Sequence, residues 1–215
     1  IVGRSDASAE MGGDLLDLLD HAGRIDLLVG DVSGHGVAAG VVMAMVKGAV
    51  RTRLHSDLPG APGDLLRDLS RIVAESNAPE MFATMAAIRV HGDRGDVEIA
   101  LGGHNPVLWW RHGPAVLEDI ENESVPLGVM ADETYPTRTI TPAPGDWLIA
   151  YTDGLVEVFD RERRQLGMAG FRAIVGSEAR ACADGPTFIA RVMERVRAHG
   201  AISDDQTIAV VRALA

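Results

Sequence analysis

Strand-like segments follow one another without an intervening helix through the middle of this chain, and that order limits the folds open to it. Residues 81–91 (MFATMAAIRVH), 95–102 (GDVEIALG), 106–111 (PVLWWR) and 114–120 are short and largely apolar. Tight turns such as Gly92-Asp93-Arg94-Gly95 join them. Residues 137–141, after Pro136, and 146–152 (DWLIAYT) extend the run. By the same criterion 24–32 (RIDLLVGDV) and 206–212 (QTIAVVR) are buried strands. Helical patterns come in pairs. The first pair is 37–54 and about 64–76, the latter capped by Asp64; the second is 168–180 and 186–199. Runs of strands with grouped helices predict an α+β fold with mostly antiparallel sheet, and argue against a doubly wound parallel one.

A chain of 215 residues suits one domain with a sizeable core. With 47% hydrophobic residues but only 4% aromatics, that core must be built from Val, Leu, Ile, Ala and Met. The formal net charge of −11 repels phosphate backbones and anionic lipid, so nucleic acid is excluded as a partner. No stretch approaches the ~18 apolar residues of a membrane span. The lone Cys182 lies between alanines and is read as a small apolar filler. The chain opens on a strand-like Ile1-Val2 without an initiator Met. The expectation is a single domain, 1–215, cut from a longer multidomain protein.

Four acidic positions share a local grammar. Asp14 follows Gly12-Gly13, and Asp31 ends a strand in Gly30-Asp31-Val32-Ser33-Gly34-His35-Gly36. Asp153 ends a strand in Tyr151-Thr152-Asp153-Gly154, and Asp204-Asp205 precede the last strand. A carboxylate at a strand end is held on a rigid scaffold, and neighbouring glycines let backbone and ligand approach closely. Hard cations such as Mg²⁺ and Mn²⁺ take oxygen ligands of this kind. Crowded carboxylates raise one another's pKa, so if these four converge, cations must lie between them. Taken singly, each site is equally a turn or a helix cap.

Taken jointly, they form a known pattern. GGD at 12–14, GDVSGHG at 30–36, ALGGHNP at 100–106, PLG at 126–128, PGD at 144–146, YTDGLVE at 151–157 and DDQT at 204–207 stand in one order along the chain. This set resembles the SpoIIE-type branch of the metal-dependent, type 2C-like (PPM) serine/threonine phosphatases, from about residue 12 to the C-terminus.

The resemblance implies an αββα sandwich: two mostly antiparallel sheets flanked by helix pairs. It also implies two divalent cations, Mn²⁺ or Mg²⁺. Asp31 would bridge both, Asp14 and the Val32 carbonyl would hold one, and Asp153 and Asp204 the other, with Asp205 and Gly154 behind them. His35 is the candidate general acid, although its spacing from Asp31 differs from that of eukaryotic relatives. His104 in the GGHNP stretch is read as shaping its loop. Eukaryotic relatives carry a phosphate-binding Arg four residues before the first ligand. Glu10 stands there in this chain, and Arg4 is not expected to replace it.

The implied activity is hydrolysis of phosphoserine or phosphothreonine on a regulatory protein. The implied substrate is an anti-sigma-factor antagonist (anti-anti-sigma, STAS-like) domain in bacterial partner-switching signalling, and the implied place the cytoplasm. A dimer or a fused sensor domain belongs to the same expectation. A non-catalytic module that binds a phosphoprotein is the alternative; a degraded site of that kind usually loses an Asp, and all four are intact. A cation-dependent nuclease is disfavoured by the absence of basic stripes. In the helix at 37–54, the stripe Val37, Val41, Ala44, Met45 and Gly48 is expected to pack into the core. The resemblance makes this helix pair a regulatory switch, and Gly40 and Gly48 weaken the helix by roughly 1 kcal/mol each.

Overall fold

A computed structural model describes residues 1–7, 12–21, 23–34, 36–54, 60–76, 81–202 and 204–214. In chain order the elements are β1 (Val2–Asp6), β2 (Asp14–His21), β3 (Arg24–Val32), α1 (Val37–Leu54), α2 (Pro62–Ala74), β4 (Ala83–His91), β5 (Val97–Gly102), β6 (Val107–Arg111), β7 (Val116–Ile120), β8 (Arg138–Ile140), β9 (Trp147–Tyr151), α3 (Gly167–Ala181), α4 (Gly185–His199) and β10 (Gln206–Arg212). A single 3₁₀ turn, Asp153–Leu155, follows β9. The content is α+β: two five-stranded antiparallel sheets and two helix pairs, as the αββα expectation requires. Among the described residues no helix is long and apolar enough to cross a membrane.

The chain divides into two compact units. One comprises Ile1–Ala9, Pro106–Ile120 and Pro142–Ala215; the other comprises Glu10–Asn105 and Glu121–Thr141. The second unit carries the sheet β2-β3-β4-β5-β8. One face of it packs Leu15, Leu28, Val32, Met85, Ala87 and Ala100 against α1 and α2. The opposite face, with Leu27, Val29, Ala86, Ile88, Ile99 and Leu101, is also buried. Both faces being covered explains why 24–32 reads as a continuous apolar run rather than an alternating one. Within this sheet Arg89 donates to Asp26 at 2.7 Å, and both residues are buried.

Three local features differ from the sequence expectation. β2 was not anticipated, because Leu15-Leu16 and Leu18-Leu19 repeat at a helix-like spacing. The strand nonetheless alternates, burying Leu15, Asp17 and Leu19, and Arg51 on α1 reaches Asp17 at 3.1 Å. Asp64 is not the N-cap of α2. Ala61 is, and Asp64 reaches back to accept from its N–H at 3.1 Å.

The third difference concerns α1. Its core stripe is Ala39, Val42, Met43, Val46 and Val50. The stripe expected to be buried lies on the other side: Val37 is 72% exposed, Val41 54% and Met45 39%, and Ala44 and Gly48 are exposed too. A helix apolar nearly all round does not choose its inner face by hydrophobicity alone. The discriminating signal was Arg51, three residues after Gly48 and seven after Ala44, which marks that side as outward.

The first unit carries the sheet β1-β10-β9-β6-β7. Its core joins Trp147, Ile149 and Tyr151 of β9 and Ile208 and Val210 of β10 to Phe171 and Val175 of α3 and Phe188, Val192 and Val196 of α4. Buried Glu178 of α3 accepts from Arg195 of α4 at 2.9 Å and ties the two helices. Asp184 caps α4, accepting from Thr187 N–H at 2.8 Å. That hydrogen bond, above all, holds the Asp184 carboxyl below its ordinary value of 3.8. A depressed folded-state pKa contributes stability above the unfolded value, and the contribution is lost as pH falls through the folded one. Asp184→Ala is therefore expected to lower the melting temperature by a few degrees at pH 7. The difference from the unsubstituted chain should fade as pH drops below 3.8, which thermal melts at pH 7 and pH 3 would check.

Candidate metal centre

In the second unit, the antiparallel pairing of β2 with β3 sets Asp14 directly opposite Asp31. Residues so paired carry their Cβ atoms ~5 Å apart on one face of the sheet, and like charges there repel. Both carboxylates continue the face that carries Val29 and Leu27, and both are half-buried. Nothing in strand pairing favours two acids at this position, whereas a shared cation does.

The backbone around the pair leaves room for one. Gly13 is buried, and a Cβ on it would stand 2.7 Å from Asp31 Oδ1 and 2.8 Å from the Val32 carbonyl oxygen. Two oxygens therefore border one small niche that any side chain at position 13 would fill. The niche is fixed by the Val32 N–H, which donates to the Gly13 carbonyl at 3.0 Å. Exclusively oxygen donors suit a hard divalent cation.

In the first unit, Asp153 opens the 3₁₀ turn after β9, and Asp204 lies just before β10. Pairing of β9 with β10 brings their ends together. Thr152 N–H donates to the Thr207 carbonyl and Thr207 N–H to Thr152 Oγ1, both at 3.0 Å. Gly154 is buried, and a Cβ there would fall 1.9 Å from the Asp205 carbonyl oxygen, so only glycine allows this approach. Gln206 Nε2 donates to the Gly154 carbonyl at 2.9 Å.

Burial first, and the charge of Asp204 second, push the Asp153 carboxyl above its ordinary value; the Gly154 N–H offsets part of the shift. Asp204 is exposed and its Oδ1 accepts from the Asp205 N–H at 2.8 Å, while Asp205 is 5% exposed. Asp204 thus has the freer head and Asp205 the supporting place.

Among the described residues no three His, Cys, Asp or Glu side chains form one metal-holding group. His35, expected as general acid, lies outside the described residues, as does Glu10. Arg4 is engaged with Asp6 at 2.8 Å. One residue escaped the sequence reading: Thr84 of β4, which pairs with Asp31 on the side away from Asp14. A threonine in a strand carries no signal by itself, and only the register shows its neighbour.

Comparisons with known proteins bear on the fold and the family. Phosphoserine phosphatase RsbU of Bacillus subtilis (strain 168) is 26% identical over 148 residues, which cover 69% of this chain and 44% of RsbU. The chain thus spans less than half the length of that relative. The structure of the RsbU and RsbW domains of Rv1364c from Mycobacterium tuberculosis is 27% identical, with a TM-score of 0.76 over 98% of this chain and 60% of that one. The SiaA-PP2C domain of Pseudomonas aeruginosa has the same fold at 17% identity, with a TM-score of 0.85 over 98% of this chain and 84% of that one. The family described as Stage II sporulation protein E (SpoIIE) matches residues 21–214, nearly the whole chain. With its antiparallel sheets, helix pairs and paired aspartates, the chain belongs to the SpoIIE family.

Proposed function

We infer that the chain is a cation-dependent protein phosphatase acting on phosphoserine or phosphothreonine. The observation that carries this is the Asp14–Asp31 cross-strand pair with the oxygen-lined niche beside Gly13. In this assignment Asp14, Asp31 and the Val32 carbonyl would hold one of two divalent cations, Mn²⁺ or Mg²⁺, and Asp153 and Asp204 would hold the other. When bound, such cations neutralise phosphate charge and activate water for in-line attack, so no covalent phosphoenzyme is needed.

The chain's own residues supply placement. Strand pairing fixes Asp31 from two sides, Gly13 keeps the niche open, and buried Asp205 with Gly154 holds the β9 and β10 ends together. Burial, and then the charge of Asp204, raise the affinity of the Asp153 carboxyl for a proton, as expected of an acid set beside another acid. With Arg4 committed to Asp6, no arginine clamp is assigned to the phosphate.

The substrate proposed is a phosphorylated regulatory domain of the anti-anti-sigma, STAS-like class in a bacterial partner-switching pathway. The similarity to RsbU, a phosphoserine phosphatase, supports it.

Turnover of p-nitrophenyl phosphate and of a phosphoserine peptide tests the activity. Hydrolysis is expected with Mn²⁺, loss of it in EDTA, and recovery when Mn²⁺ is restored. Cations that bind the folded form alone also stabilise it, so Mn²⁺ at ~100 times its Kd should add about 2.7 kcal/mol and raise the melting temperature. No hydrolysis and an unchanged melt at saturating Mn²⁺ would contradict the assignment.

A further inference from the structure

We propose that Thr84 and His104 form a positioning pair that holds Asp31 in its cation-binding orientation, an inference that rests on the phosphatase assignment above. Asp31 lies between two cross-strand neighbours, Asp14 on β2 and Thr84 on β4. Thr84 Oγ1 is 2.9 Å from His104 Nδ1. A hydroxyl has one proton to give and can also accept. With the imidazole proton on Nδ1, His104 donates to Thr84 Oγ1 and leaves the threonine proton for the carboxylate beside it. The β-branched side chain has few χ1 options, so the hydroxyl is held rather than sampled.

The surroundings are built to keep this pair in place. Ala83, next to Thr84, exchanges two backbone hydrogen bonds with Leu127, at 3.0 and 2.8 Å. Phe82 makes one backbone and one side-chain hydrogen bond with Ser33: Ser33 N–H donates to the Phe82 carbonyl at 2.8 Å, and Phe82 N–H donates to Ser33 Oγ at 2.9 Å. On the histidine side, Gly103 has φ +57 and donates its N–H to the Ser124 carbonyl at 3.1 Å. A Cβ on Gly103 would meet the Pro126 nitrogen at 2.5 Å, so the residue before His104 must be glycine. The GGHNP and PLG stretches thus serve one purpose: the loop after β5 is locked against residues 124–128, and both are anchored at the start of β4. Their product is the place of His104 against Thr84, one strand from Asp31.

Partners that orient a cation ligand typically tune affinity 10–100-fold when removed. Thr84→Val keeps the shape and removes the hydroxyl. In the full 215-residue chain, Thr84→Val and His104→Ala should raise the Mn²⁺ concentration for half-maximal p-nitrophenyl phosphate turnover about 10-fold. Direct Mn²⁺ binding, read by electron paramagnetic resonance, should weaken in parallel. The melting temperature without cation should hold, while the rise induced by Mn²⁺ shrinks. The KM for p-nitrophenyl phosphate should not move. Thr84→Ser, which restores the hydroxyl, and His104→Asn, which keeps a donor near Nδ1, should recover most of the affinity. If the unsubstituted chain binds and uses Mn²⁺ and Thr84→Val binds it equally well, the positioning role is overturned and the phosphatase assignment stands. If the unsubstituted chain neither binds Mn²⁺ nor hydrolyses the ester, both fall.

Discussion

Asp31→Asn should abolish phosphatase turnover and at the same time make the cation-free chain slightly more stable. The two effects have one cause. Asp31 is the carboxylate with the most demands on it, facing Asp14 across β2 and β3 and bordering the niche beside Gly13. Without a cation, two like charges opposite each other on a sheet cost roughly 0.2–1 kcal/mol. Asparagine keeps the shape and removes the repulsion, so the melting temperature in EDTA should rise by roughly 1–3 °C. With Mn²⁺ present the order reverses, because the unsubstituted chain gains stability from binding and the variant does not. Turnover should fall by about 10³-fold or more, as when a group that stabilises transition-state charge is removed. Melts of both proteins with and without Mn²⁺ check this crossing. A variant destabilised in EDTA would assign Asp31 a structural role instead.

The second large effect concerns an aspartate outside the metal centre. Asp146 closes the PGD stretch at the start of β9 and is 2% exposed. Its carboxylate accepts from Trp109 Nε1 at 3.1 Å, His112 N–H at 2.8 Å and Ala143 N–H at 3.1 Å. Arg111 lies 3.5 Å away and stacks its guanidinium 4.2 Å from the Trp109 ring centre. Removing the acceptor leaves the buried Trp109 N–H without it, at ~1–3 kcal/mol, and also releases two part-buried backbone N–H groups at a smaller cost each. Asp146→Ala should therefore destabilise the chain by about 4 kcal/mol, lowering the melting temperature by on the order of 10 °C. Intrinsic Mn²⁺ affinity of the protein that remains folded should be unchanged. A loss of cation binding without loss of stability would show that this carboxylate belongs to the metal centre.

These two aspartates show what the sequence could and could not reveal. Both stand next to glycine at a strand end, and the sequence pattern alone treats them alike. What separates them is company: Asp146 accepts from three N–H groups, whereas Asp31 faces another acid, Asp14, on one side and Thr84 on the other. Strand positions were legible where apolar runs end in turn residues, as at 24–32 and 206–212, because burial on both faces writes a continuous signal. β2 was not, because paired leucines at 15–16 and 18–19 mimic helical spacing while the fold uses only alternate residues. The inner face of α1 was misjudged for a related reason: apolar residues surround most of the helix, and only the exposed Lys47 and Arg51 near its C-terminal end mark the outside. Thr84 and the place of His104 were beyond local pattern altogether. Their importance follows from register across three strands and from the contact between Gly103 and Pro126, which join residues far apart in the chain.

One experiment bears on the central claim above all others: a crystal structure with Mn²⁺, read by anomalous scattering. Two peaks are expected, one held by Asp14, Asp31 and the Val32 carbonyl and one held by Asp153 and Asp204. Absence of both peaks at saturating Mn²⁺, or cations bound away from these carboxylates, would contradict the account.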